Sequence, residues 1–197
     1  NIITVIPRGI DLELFNPNNI SNEFINNFKK EYDLENKFIV SSVGRVTQLK
    51  DYETFIKAIF LVKKEIPNIK ALIVGGVRSD KEEYLNSLKK LVKELALEDN
   101  ISFTGSQNKI AEIYALSDVV VSSSKKPESF GRAVAEAIAM NTPVITTNHG
   151  GVKDIIIENI NGFFFEVGDE KMLANNIFKS KELKFDGYKY ISENFSL

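Results

Sequence analysis

Cysteine and tryptophan are absent from this chain, and there is a single histidine, His149. Without thiols there can be no disulfide and no thiolate metal site, which fits a reducing compartment and makes the cytoplasm the expected location. No run approaches the roughly 18 uninterrupted apolar residues of a spanning helix, and the start shows no basic-then-apolar leader, so no membrane insertion by this segment is expected. Positive charge is not in surplus either: 25 Lys and Arg stand against 27 Asp and Glu, and they form no stripe. Reading a nucleic-acid backbone rests on concentrated basic surface, so nucleic acid is not an expected partner. G-x-G-x-x-G and a P-loop Gly-Lys-Ser/Thr are missing too, which removes the usual dinucleotide and nucleoside-triphosphate fingerprints.

What remains is enough for one well-buried domain: 197 residues, 43% of them hydrophobic. Short apolar runs alternate with longer amphipathic ones. Phe38–Val43, Lys70–Val74, Ile101–Phe103, Val119–Val121, Pro143–Thr146 and Phe163–Phe165 read as strands. Between them, helices are expected at Asn22 to Tyr32, Tyr52 to Glu65, Glu82 to Leu97, Gln107 to Leu116, Glu128 to Met140 and Val152 to Glu158, with a further helical stretch before Glu193. Apolar strands alternating with helices predict an α/β fold, a doubly wound parallel sheet of about six strands covered on both faces. Glycines at 44, 75, 76, 105, 150, 151 and 162 punctuate the strand ends, where such a sheet places its ligand loops. Residues 1–20 look different: a strand-like Ile2–Ile6, a turn at Pro7 and Gly9, and an extended Phe15-Asn-Pro17 read as a linker-like lead-in to a single domain over 21–197.

Two motifs carry chemistry. Glu128 and Glu136 flank Ser129, Phe130 and Gly131 and the start of a run of helix formers, Arg132 to Met140. The N–H groups of that first turn have no acceptor within the helix and make an anion site fit for a diphosphate. The two acids, one before the turn and one inside the helix, can accept from sugar hydroxyls on either side of a bound phosphate. The second motif is Gly44-Arg-Val-Thr-Gln-Leu-Lys50, after the first strong strand: Arg45 can grip phosphate bidentately and Lys50 acts as a point charge. Each motif by itself also reads as ordinary surface; their joint occurrence is the signal. His149 is expected to be a loop hydrogen-bonder, and Phe163–Phe165 a buried strand.

Together these motifs resemble the C-terminal, donor-binding domain of a retaining glycosyltransferase of family 4 (group 1), over essentially the whole chain. The family's E-x7-E signature matches Glu128 and Glu136, and its Gly-Arg-x-x-x-x-Lys loop matches Gly44, Arg45 and Lys50. Val5–Asp11, with Arg8 where Asn is usual, is similar to the family's linker, and Asn141–Gly151 to the stretch after its helix. The resemblance implies a Rossmann-like half of a GT-B fold. It implies that Arg45 and Lys50 hold the diphosphate of a UDP- or GDP-hexose and that Glu128 contacts hexose hydroxyls. Backbone around Phe130, Gly131 and Arg132 would cradle sugar and phosphate, Glu136 would take the ribose, and the base would lie by Phe103, Thr104 and Gly105. No cofactor and no metal are expected, since Asp-x-Asp is absent. An N-terminal acceptor domain, which could bring the protein to the cytoplasmic face of a membrane, and a last helix beyond Leu197 are expected outside this segment. By itself it should bind donor without transferring sugar. A nucleotide-sugar 2-epimerase shares the architecture, and a non-catalytic nucleotide-sugar sensor would share the fold; retention of Arg45, Lys50, Glu128 and Glu136 speaks for the transferase.

Overall fold

Six strands, β1 (Phe38–Val43), β2 (Ile69–Val74), β3 (Ile101–Gly105), β4 (Val119–Ser122), β5 (Val144–Thr147) and β6 (Gly162–Phe165), form one all-parallel sheet in the order β3-β2-β1-β4-β5-β6 in a computed structural model that describes residues 9–195. The expected strand at Ile2–Ile6, along with Pro7 and Arg8, lies outside the described residues. The chain winds outward from β1 to β3, then returns to the centre to place β4 beside β1. That reversal splays the connections apart and opens a crevice beyond the carboxyl ends of β1 and β4, where doubly wound sheets bind their ligands.

Both faces of the sheet are covered. Helices α2 (Tyr52–Val62), α3 (Glu82–Glu94) and α6 (Glu170–Ser180) bury Phe55, Ile59, Leu88 and Ile177 against one face. On the other, α1 (Asn22–Glu31), α4 (Ile110–Leu116), α5 (Arg132–Ala139) and α7 (Gly187–Asn194) bury Phe28, Tyr114, Ile138 and Ile191. Strands sandwiched in this way have no solvent side, and all six positions of β2 are buried.

Several element limits differ from the sequence reading, each for a local reason. The helix expected from Glu128 starts at Arg132, because Gly131 takes a left-handed conformation (φ 83°) and Glu128 makes a parallel bridge to Gly150. The helix expected from Gln107 starts at Ile110; the Gln107 side-chain amide donates to the Thr104 carbonyl and closes the turn instead. Val152 to Glu158 is not a helix but a short 3-10 turn at Gly151–Asp154. Beyond it Asn161 Oδ1 accepts from the Ile157 N–H and bends the chain into β6. The helices α6 and α7 start where Asp169 and Asp186 accept from the N–H groups of Met172 and Lys189, a standard cap that fixes their first turns. Phe15-Asn-Pro17 is not extended: it lies in turns, with the Phe15 ring buried 6.1 Å from that of Tyr114. The Ile10 N–H donates to the Phe195 carbonyl, and Ile10 and Phe15 are buried in the same core cluster as Tyr114 and Ile191.

Candidate functional site

The loop after β1 is held from several directions. The Gly44 N–H donates to Val74, the Val46 N–H to Gly76, and the Tyr52 hydroxyl to the Gly44 carbonyl. The two loops approach so closely that a Cβ on Gly75 would lie 1.9 Å from the Gly44 oxygen, which makes glycine the one residue that fits there. A 3-10 turn, Gln48–Lys50, then leads into α2 through Asp51 in the left-handed region. The end of β4 fixes this turn, because the Ser123 hydroxyl donates to the Lys50 carbonyl over 2.7 Å. Lys50 is thereby aimed across the crevice. Its ammonium pairs with Glu128 Oε1 and lies 3.4 Å from Ser124 Oγ, whose hydroxyl sits 2.7 Å from the same carboxylate oxygen.

The other wall is the start of α5. Gly131 supports it: a Cβ there would press within 2.5 Å of Val152, and its positive φ disfavours any other residue. The Gly150–Gly151 loop lies against Glu128, with the Gly151 N–H donating to the Glu128 carbonyl over 2.8 Å. His149 stands behind: its Nε2 is 2.8 Å from both the Ser124 carbonyl and Thr147 Oγ1, which makes it a loop tie. One turn into α5, Glu136 lies between the Tyr114 hydroxyl at 3.2 Å and the Arg132 guanidinium at 3.6 Å.

These groups open on one cleft of about 560 Å³, within the usual range for small-molecule sites of about 300–1,000 Å³. Gly44, Lys50, Glu128, Arg132 and Glu136 all line it. Arg45 does not; its side chain is exposed and makes no ion pair among the described residues. Ser129, Phe130 and Gly131 do not line it: Ser129 is exposed, and Phe130 packs on Phe195 at 6.0 Å between ring centres. Phe103, Thr104 and Gly105 also fall outside the lining, on an edge strand; the next turn, Asn108 to Glu112, reaches the cleft instead.

Four further contributors escaped the sequence reading. Ser123 and Ser124 clamp Lys50 and Glu128. Tyr114, fully buried, orients Glu136. Glu112, buried on α4, accepts from the Ser21 N–H at 3.3 Å and pairs with Lys109 at 3.6 Å, both on the cleft wall. A polar residue inside an apolar helix pattern, as Glu112 is in Ile110–Leu116, was the one available signal.

The two acids of the E-x7-E pattern differ electrostatically. Burial pushes the Glu128 carboxyl up, but the bond and charge of Lys50, with help from Ser124 and His149, outweigh it and hold the group below the ordinary carboxylate range. Burial also pushes Glu136 up, and there the Arg132 charge and the Tyr114 hydroxyl do not offset it, so its carboxyl stays above the ordinary range. Burial and the neighbouring Glu136 raise the Tyr114 hydroxyl well above its usual value, so it is a permanent donor. A half-buried cation, a restrained anion and a partly desolvated acid thus face one another at the crevice.

Known proteins agree with this architecture. A family model described as glycosyl transferases group 1 matches residues 24–194. The chain is 34% identical over 159 residues to the N-acetyl-alpha-D-glucosaminyl L-malate synthase of Bacillus anthracis, covering 79% of this chain and 40% of that protein. It thus spans less than half the length of that relative. Among solved structures, a glycosyltransferase from Rickettsia africae superposes with a TM-score of 0.90 at 30% identity, covering 98% of this chain and 53% of that one. An Anabaena protein, Alr3699/HepE, solved with UDP and glucose, superposes with a TM-score of 0.85 at 26% identity, over 95% of this chain and 51% of that one. With the matched residues running from the first turn of α1 to the end of α7, the chain belongs to the group 1 glycosyl transferases.

Proposed function

We propose that this chain is the donor-binding half of a retaining hexosyltransferase, which takes a hexose from a nucleoside diphosphate sugar to a glycan or lipid acceptor. The observation that carries the reading is the convergence of Lys50, Glu128 and Glu136 with the start of α5 on one cleft at the β1/β4 switch point. In this reading the diphosphate lies between the Lys50 ammonium and the first-turn N–H groups of α5, where charge on a departing diphosphate is stabilised. Glu136 takes the ribose hydroxyls. Glu128 Oε2, which accepts nothing among the described residues, takes a hexose hydroxyl. Arg45 adds long-range attraction from outside the lining. The base lies toward Asn108–Ala111, at the turn that follows Phe103, Thr104 and Gly105.

Retention needs no protein nucleophile if the acceptor attacks on the face the leaving group departs and a donor phosphate oxygen takes its proton. The protein then has to position donor and acceptor and stabilise the leaving diphosphate. The acceptor half, and a place at the cytoplasmic face of a membrane, belong to the same proposal. The bound UDP and glucose of the Anabaena structure support the ligand class, and no observation favours an epimerase or a sensor. A thermal-shift panel of UDP, GDP, ADP and their hexose esters tests it. At about 100 times its dissociation constant, the right ligand adds about 2.7 kcal/mol. Stabilisation by none of them would overturn the reading.

A further inference from the structure

Lys50, the cation this cleft turns toward a diphosphate, is already neutralised by the protein itself. Its ammonium lies on Glu128 Oε1, and the two side chains are only 28% and 27% exposed. Glu128 is not free to retreat. The same oxygen accepts from Ser124, and the Ser124 carbonyl is in turn tied by Thr147 at 3.0 Å and His149 at 2.8 Å. Lys50 is the partner with a long flexible stem, and that stem runs beside Gly44, where a Cβ would lie 3.1 Å from its Cε and crowd it.

An arriving phosphate must therefore draw Lys50 away from a carboxylate that stays in place. That carboxylate then faces the phosphate having lost a donor, and one half-buried ammonium cannot fully serve two anions. The two forms of ligand meet this situation differently. A sugar esterified to the diphosphate brings hydroxyl donors for Glu128 and leaves the outer phosphate with one charge. A bare diphosphate brings no donor, and its terminal phosphate, with a second pKa of about 6, carries almost two charges.

We propose that Glu128 is a built-in competitor for Lys50 that separates donor from spent product: it is satisfied by the sugar-bearing nucleotide and expels the bare diphosphate by recapturing the cation. Once the sugar has left, Glu128 loses its hydroxyl donors, takes back Lys50 and speeds product release. The assignment of ligands rests on the donor-site reading above; the competition is a property of Lys50 and Glu128 alone.

The test compares wild type and Glu128→Gln by calorimetry with inorganic pyrophosphate, UDP and GDP, and their glucose or mannose esters. The amide keeps the size of the carboxyl but frees Lys50. Pyrophosphate and the bare nucleotide should bind the variant tighter by on the order of five- to tenfold, while the sugar ester gains nothing or weakens. Equal or weaker pyrophosphate binding by the variant overturns the proposal. Tighter pyrophosphate binding without binding of any nucleotide would instead remove the donor-site reading and leave the competition standing. A second measurement needs no variant. In wild type carrying carboxyl-labelled glutamate, saturating pyrophosphate should move the Glu128 carboxyl carbon resonance as Lys50 departs, and an unmoved resonance also overturns the proposal.

Discussion

Glu128 and Glu136 stand on the same cleft and belong to the same motif, yet the protein treats them in opposite ways. Glu128 sits in a loop pinned by the Gly150–Gly151 turn, where Lys50 and Ser124 converge on one of its oxygens. Glu136 sits on a helix whose other buried positions are Val134, Ala135, Ala137, Ile138 and Ala139, and it faces a buried tyrosine. The first carboxyl is held low by a cation and the second is lifted by burial. Burial strengthens a close and equally sheltered charge partner, as Lys50 is to Glu128, and penalises charge whose partner is too exposed to offset it, as Arg132 is for Glu136. The loop acid is thereby a counter-ion that ligand must displace. The helix acid, oriented by Tyr114 and desolvated, is suited to accept from neutral hydroxyls.

The sharpest way to break this contrast is to remove the cation. Lys50→Ala should weaken nucleoside diphosphate binding on the order of 10²-fold in calorimetry, with little change for the bare nucleoside, because a charge-assisted contact and the neutralisation of Glu128 both disappear. Equal losses for both ligands would show that Lys50 does not meet the phosphates. Glu136→Ala should act at the other pole: about tenfold weaker ribonucleotide binding and no remaining preference over the 2′,3′-dideoxy analogue. A preference that survives would take the ribose away from Glu136.

The contrast also has a pH signature. Because the folded state holds Glu128 low, its ion pair adds stability above the ordinary carboxylate range and loses it as pH falls through the lowered folded value. Glu128→Gln should therefore cost under about 1 kcal/mol near neutrality, with the deficit shrinking in acid. Glu136 is raised, so ionising it in the fold destabilises; wild type loses stability as pH climbs from the ordinary range through the raised value. Glu136→Gln should melt higher than wild type near neutrality and together with it in acid. Melting curves that move in the same direction for both variants would dissolve the distinction. The smallest effect belongs to Arg45. Exposed and outside the lining, Arg45→Ala should weaken diphosphate binding about threefold at low salt and hardly at all at high salt. A salt-independent loss as large as that of Lys50→Ala would place its guanidinium on the ligand.

Sequence and structure coincide most closely where the signal is local. The β1 strand runs over Phe38–Val43 as its apolar run indicates, and β2 gains only Ile69. Helix starts were harder to read. The first turn of α5 follows Gly131, which is left-handed and lies where a Cβ would press within 2.5 Å of Val152 from a distant loop; the run from Arg132 marks that start, whereas nothing in residues 128–131 shows that they stay outside the helix. Arg45 and Lys50 look equivalent as residues in a loop, yet the 3-10 turn and the Ser123 clamp carry Lys50 into the cleft and leave Arg45 in solvent.

From its residues alone this chain is committed to an alternating α/β fold, to ligand loops at the glycine-marked strand ends, and to two bases and two acids as the chemistry available there. These properties depend on periodicity, turn propensity and residue type, which are local. Which base meets which acid, and that Ser124, Tyr114 and Glu112 join them, was decided only in three dimensions. The Lys50–Glu128 and Tyr114–Glu136 contacts connect positions 78 and 22 residues apart, and their energetics depend on a burial that no single segment contains.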